Sequence, residues 1–323
     1  VNQLLTIPGV PPGSLGVRLE GLASNCSVLG SNPQQLAVVA GAPTATRFTV
    51  SCTPAGSTTH PGILFGLMNL DDSFLGDVQT GTWRPVTPTN ILTELAGARA
   101  RNARVIIRLV RGDPHLLGPD GNFSLDTWKS MVAAYKGIDF SRYIQDGTVV
   151  GHYLIDEPHQ SARWGQPLSQ STVESMAQYS KQFWPDLATM VRVVPSWLAK
   201  APIVYTHLDA GWAQYHSRQG DPVRWLAAEA AVAQRLGLGL VIGMNILDGG
   251  TSASGIPGHT SGLYSMSADE LRRFGSALLG HGYGCAFIMW GYEPVYYSRA
   301  DIQAAMADLS RLARSHPSTS CRQ

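Results

Sequence analysis

Gly151-His152-Tyr153-Leu154-Ile155-Asp156-Glu157-Pro158 is an apolar run that ends in two adjacent carboxylates and a proline. The run has the length and composition of a buried strand. Proline cannot continue a central strand, so the chain must leave the sheet at Pro158. Two acids therefore stand at the carboxyl end of a strand, where an α/β protein builds its site. A glutamate held beside a second carboxylate and low-dielectric walls is suited to general-acid work. The plainer alternative is an acid that caps a helix, next to a solvated neighbour. Neighbours on an extended strand face opposite ways. Only one of the two acids can then aim into a site, unless the chain already bends there.

From residue 62 onward, strand-like and helix-like segments alternate. The expected strands are 63–68, 104–110, 149–155, 191–194, 203–208, 240–245 and 286–290, with 81–86 as an eighth, short strand. Helix starts are marked between them. Ser171-Thr172-Val173-Glu174 and Ser267-Ala268-Asp269-Glu270 read as capping boxes. Asp221-Pro222 sets an N-cap acid before an N1 proline, in a helix that ends near Gly237. Ser298 and Asp301 open the last helix in a similar way. Such alternation implies a parallel sheet covered by helices. Links from helix to strand are short, as at Asn102-Ala103 and Leu238-Gly239, whereas links from strand to helix are long, including 70–88, 111–124, 156–170, 209–220 and 246–266. Long loops gathered at the carboxyl ends predict an α/β fold of the (β/α)8 TIM type, in places irregular, over residues 59–323. A doubly wound sheet is the alternative, but no glycine-rich turn follows the first strand to hold a phosphate.

Residues 1–58 differ. Short β-type runs around 17–22, 35–39 and 46–52 are separated by Gly, Pro and Asn, and a linker over 53–61 follows. The 323 residues carry a net charge of +1, with no basic stripe and no apolar run long enough to span a membrane, so neither a nucleic-acid partner nor a membrane span is read. Lysine is scarce, and Gly, Ser, Thr and Pro are abundant, which fits an exported chain. The four cysteines agree: Cys26 can face Cys52 across the N-terminal β segment, and a last helix antiparallel to its strand returns Cys321 towards Cys285. Two bridges would mean an oxidising, extracellular setting.

For chemistry, Glu157 is the expected general acid and Asp156 its orienting neighbour. Glycoside cleavage also needs a second carboxylate. Glu293, in Trp290-Gly291-Tyr292-Glu293-Pro294, repeats the order strand, acid, proline; Asp248 and then Asp209 are the other candidates. Rings crowd the same loops: Trp83, Trp164, Trp197, Trp212, Trp290 and Tyr292, with Tyr296 and Tyr297, can stack on sugar faces. Trp128, Trp184 and Trp225 fall within helices and read as core. Arg108, Arg111 and Arg192 are expected to brace Asp156 or Glu293, or to hold an acidic sugar. No cofactor motif is read. Asp113, His115, His152, Asp156, His159, His207 and Asp209 offer metal ligands without a tight metal-binding spacing. No Gly-x-Ser-x-Gly elbow is present for a serine hydrolase.

Tyr153–Pro158 and Ile288–Glu293 together resemble the TIM-barrel glycoside hydrolases, in layout across about residues 62–315 and in detail at these two motifs. The resemblance implies an acid glutamate before proline at a strand end, an aromatic at the end of a late strand, and a nucleophile on the seventh strand. The largest clan has asparagine where Asp156 stands. Hexosaminidase-like families use an Asp-Glu pair that steadies the substrate's acetamido group. The N-terminal segment resembles part of a bacterial immunoglobulin-like module. The expected function is a secreted glycoside hydrolase acting on a poly- or oligosaccharide through paired carboxylates. The alternatives are a non-catalytic carbohydrate-binding or extracellular assembly protein that self-associates as a fibre, lattice or adhesin, and a metal-dependent hydrolase.

Overall fold

The computed structural model describes residues 5–20, 26–52, 60–317 and 320–322. The chain divides into two compact units, Val1–Ser57 and Thr58–Gln323.

The first unit holds two antiparallel ribbons. β1 (Gly13–Val17) pairs with β3 (Gln34–Val38), and β2 (Cys26–Leu29) pairs with β4 (Thr49–Cys52). The backbone register sets Cys26 opposite Cys52. Their expected bridge lies outside the described side chains.

The second unit is a closed barrel of eight parallel strands. In chain order they are β5 (Leu64–Met68), β6 (Gly81–Pro85), β7 (Arg104–Arg108), β8 (Val149–Asp156), β9 (Thr189–Arg192), β10 (Ala210–Tyr215), β11 (Gly239–Met244) and β12 (Gly284–Met289). β12 pairs with β5 and closes the ring. The helices are α1 (Ile91–Ala100), α2 (Leu125–Ala133), α3 (Ser141–Gln145), α4 (Ser161–Trp164), α5 (Gln170–Lys181), α6 (Pro195–Leu198), α7 (Pro222–Leu236), α8 (Ala268–Leu279), α9 (Pro294–Tyr297) and α10 (Ala300–Ser315). The short eighth strand expected at 81–86 is present as β6.

The sixth strand departs from expectation. Residues 203–208 are not a strand; the strand is β10, inside the stretch read as a loop. Val204 is 82% exposed, so its β-branched side chain is not a sign of burial. Glu174 on α5 instead accepts from the backbone N–H groups of Thr206, His207 and Leu208 and holds this segment as a loop. Glu174 is thus not the acid of a capping box. The N-cap of α5 is Ser169, which accepts from the N–H of Thr172. Ser267 and Glu270 form a reciprocal box on α8, and Asp221 caps α7, which Gly237 ends in a left-handed conformation. Ser298 does not open α10: it closes α9, while the N-cap of α10 is Arg299, whose guanidinium pairs with Asp301.

Two apolar layers make the core. Inside the barrel lie Leu64, Ile106, Tyr153, Met190, Trp212, Val241 and Ile288. Between strands and helices lies a larger layer that includes Phe65, Trp128, Leu154, Leu240 and Phe287. This two-sided burial is why the strands read as continuous apolar runs. Cys285 and Cys321 are bridged, with Cα atoms 5.1 Å apart, so the chain end is tied to the start of β12. Among the described residues, no helix is long and apolar enough to cross a membrane.

Candidate active site

β8 is the fourth barrel strand, and its last residue is Asp156. The pairing of β8 with β9 is irregular between Tyr153 and Asp156. The next residue, Glu157, has a φ of 40°, in the left-handed region that a side-chain-bearing residue rarely adopts. The chain therefore bends at Glu157 itself, one residue before the proline. Two donors hold the bend. The Glu157 N–H donates to the Arg192 carbonyl at 3.0 Å, and the indole N–H of Trp164 lies 2.9 Å from the Asp156 carbonyl and 3.2 Å from that of Glu157. Backbone held in this region costs about 1–3 kcal/mol and persists where surrounding structure enforces it.

Because of the bend, both carboxylates meet the same two arginines. Arg192 Nη1 lies 3.0 Å from Asp156 Oδ1, and Nη2 lies 3.6 Å from Glu157 Oε1. Arg163 Nη1 bonds Asp156 Oδ2 and lies 3.4 Å from Glu157 Oε2. Arg163 Nε is also 3.4 Å from Asp113, which is held by Arg108 Nη2 at 2.6 Å. Arg108, Arg163 and Arg192 thus balance Asp113, Asp156 and Glu157. Burial opposes the charge of Arg192, but Asp156, Tyr153 and Glu157 outweigh it and raise its pKa above the ordinary value. The network favours a fixed geometry over net stability, since desolvation offsets most of the Coulomb gain.

Glu157 opens onto a cleft of about 250 Å³ at the carboxyl ends of the strands, shared with His159, Arg192, Trp212, Gln214, His216, Gln219 and Asn245. Trp212, Gln214 and His216 are spaced by two along and just beyond β10, so they share one face. Each carries a buried polar atom with no hydrogen-bond partner: Trp212 Nε1, Gln214 Oε1 and His216 Nδ1. A buried polar group without a partner is costly; three in a row on a cleft wall form a surface suited to a polar ligand. Burial, with Arg218 nearby, lowers the His216 pKa, so its ring is neutral at pH 7. Gly243 makes room for the indole: a Cβ there would lie 3.0 Å from Trp212 Nε1 and 2.0 Å from the Ile288 carbonyl oxygen.

The other expected acids do not line this cleft. Asp248 accepts from the Thr260 N–H at 2.8 Å and from its hydroxyl at 2.7 Å, and pins the loop after β11. Glu293 caps α9 through the N–H groups of Val295 and Tyr296. β11 is the seventh barrel strand, and the residue after it is Asn245, an amide whose Oδ1 accepts from the Asp248 N–H at 2.8 Å.

Of the expected rings, only Trp212 lines the cleft described above. Trp83 is buried in the barrel interior and meets Tyr153 edge-on at 5.2 Å, and Tyr153 meets Trp212 in the same way at 5.7 Å. Trp164 is fully buried under the bend. Half-buried Trp197 lies 6.3 Å from the His159 ring, Trp290 packs edge-on against His259, and Tyr292 packs against Phe74 and Tyr297. Arg108 holds Asp113, and it is Arg192 that braces Asp156. Among the described residues, no three His, Cys, Asp or Glu side chains gather as a metal site. His207 pairs with Glu174, and Asp209 pairs with Lys181. Gln214, His216, Gln219 and Asn245 escaped the sequence reading. The alternation Trp212-x-Gln214-x-His216 signals them once β10 is placed correctly.

No protein-family model matches the sequence, and no curated protein matches it. Solved structures do. A beta-glucanase from Saccharophagus degradans is 10% identical, with 79% of this chain and 88% of that one covered at a TM-score of 0.51. A hyperthermostable endo-1,4-beta-D-mannanase from Thermotoga petrophila is 11% identical, with 78% and 99% covered at 0.50. The likeness is one of fold. It sets the barrel of this chain beside those of glycoside hydrolases.

Proposed function

We propose that residues 59–323 form a secreted glycoside hydrolase barrel in which the cleft binds a poly- or oligosaccharide and Glu157 exchanges a proton with the glycosidic oxygen. One observation carries this reading: Glu157, at the end of the fourth barrel strand, is bent into the cleft wall by a left-handed backbone that Trp164 and Arg192 hold in place. The unpartnered atoms of Trp212, Gln214 and His216 supply a polar wall for sugar hydroxyls. The Cys285–Cys321 bridge supports an oxidising compartment.

A second reading, a saccharide-binding barrel without turnover, is favoured by Asn245. An amide stands directly after the seventh strand, where the resemblance implies a nucleophile, and Glu157 is the one acid lining the described cleft. A single measurement separates the two: reducing-end release and binding on a panel of mixed glycans. For the hydrolase, Glu157→Gln lowers turnover by about 10²–10⁴-fold, with saccharide binding and melting temperature retained. Binding without release by the wild-type chain assigns the second reading. Turnover that survives Glu157→Gln removes Glu157 as the acid.

A further inference from the structure

We propose that the amino-terminal end of the barrel, opposite Glu157, carries an oxyanion site centred on Arg104 and sized for phosphate or sulfate. Arg104 opens β7, and its side chain lines a pocket of about 70 Å³ with His60, Asp77, Thr80, Arg101 and Arg314. Such a space holds a few waters or one small tetrahedral anion.

The decisive feature is which nitrogens lack partners. Arg104 Nη1 reaches the Gly62 carbonyl at 3.4 Å, but Nε and Nη2 are buried and unbonded. Nε–H and Nη2–H are the parallel pair on one edge of the guanidinium, the fork that takes two oxygens of one anion. Two further arginines, Arg101 and Arg314, line the pocket against one carboxylate residue, Asp77. Arg101 donates to the Gly97 carbonyl and Arg314 to the Asp77 carbonyl, both neutral acceptors. Among the described residues, no carboxylate lies within ion-pair distance of Arg101, Arg104 or Arg314, whereas nearby Arg99 has Asp146 Oδ2 at 2.9 Å. Burial, together with the neighbouring Arg314, lowers the Arg104 pKa to about 10. A buried guanidinium is otherwise paired in folded proteins; an oxyanion on the free fork supplies that pairing and offsets the repulsion from Arg314.

The test is thermal melting of the whole chain in chloride buffer, with inorganic phosphate or sulfate added at constant ionic strength. A saturable rise in Tm is expected with at least one of the two and not with chloride; the anion that saturates at lower concentration identifies the physiological one. Arg104→Gln should weaken the response by about tenfold or more, the loss of a bidentate charged contact. Arg104→Lys, which keeps the charge but not the fork, should weaken it nearly as much. In chloride alone, Arg104→Gln should melt no lower than wild type, because it removes an uncompensated charge. Should that variant not fold, Arg314→Gln must show the weakened response. Glu157→Gln must respond to phosphate as wild type does, which keeps this site separate from the cleft. The absence of a saturable rise in the wild-type chain, or an unchanged response in the Arg104 variants, overturns the proposal.

Discussion

At the scale of single residues, the cleft separates side chains that are spent from side chains that are held ready. Trp164 and Trp212 are both fully buried indoles, yet the Trp164 N–H bonds two carbonyls and the Trp212 N–H bonds none. Replacement by phenylalanine should expose the contrast. Trp164→Phe loses those bonds and orphans the carbonyls that fix the bend, so it should cost about 1–2 kcal/mol more than Trp212→Phe. Trp212→Phe should melt close to wild type but bind saccharide about tenfold more weakly, the loss of one hydrogen bond of about 1.4 kcal/mol. Paired urea titrations and calorimetric binding on both variants check this; equal binding by Trp212→Phe and wild type would remove Trp212 from the cleft's function. Glu157 was legible because an apolar run, an acid and a proline are a local pattern. Asp248 and Glu293 show where locality ends. Each lies beside a strand end as Glu157 does, and only the fold reveals that loop and helix N–H groups occupy their oxygens.

Elements whose two faces are both buried read correctly wherever bulky apolar residues marked them. β10 did not. Its sequence Ala-Gly-Trp-Ala-Gln-Tyr is small and mixed, because Gly211 must fit against Leu198 and Pro195 while Gln214 faces the cleft. The more β-like segment before it is a loop only because a distant glutamate, Glu174, satisfies its N–H groups, and no local pattern announces that. β8 offers the converse case. His152 points away from the cleft into the layer between β8 and its helices, stacks on Trp128 of α2, and bonds Ser180 of α5 at 2.8 Å. Burial lowers its pKa to about 3. The unfolded chain takes up this proton near pH 6.5, and the folded chain resists until about 3. The stabilisation is therefore complete above pH 6.5 and is lost as pH falls from 6.5 towards 3, at up to about 1.4 kcal/mol per pH unit. His152→Gln should flatten that acid limb, read from urea midpoints between pH 7 and 4. An unchanged slope would mean that the β8–helix layer admits the charged ring.

For the whole molecule, the alternation of strands and helices and the lopsided loop lengths were enough to read a barrel, because parallel strands need crossovers and short returns leave only one end free for long loops. The pair that closes the ring is not marked locally: β12 pairs with β5, 222 residues earlier in the chain, through the Ala286–Leu64 and Met289–Leu67 partnerships. The closing strand is also where the molecule is clasped. Cys285 sits in β12, and Cys321 follows the last helix, a separation of 36 residues. A loop of that length corresponds to about 4 kcal/mol of lost unfolded-state entropy. The double variant Cys285→Ser/Cys321→Ser should therefore melt about 10 °C lower than wild type. Glu157, at the far end of the barrel, should keep its geometry, so turnover or saccharide binding per folded molecule should be unchanged at 25 °C. Scanning calorimetry and a glycan assay on the same sample decide it. A large loss of function without a fall in Tm would mean that the clasp acts on the cleft rather than on the unfolded chain.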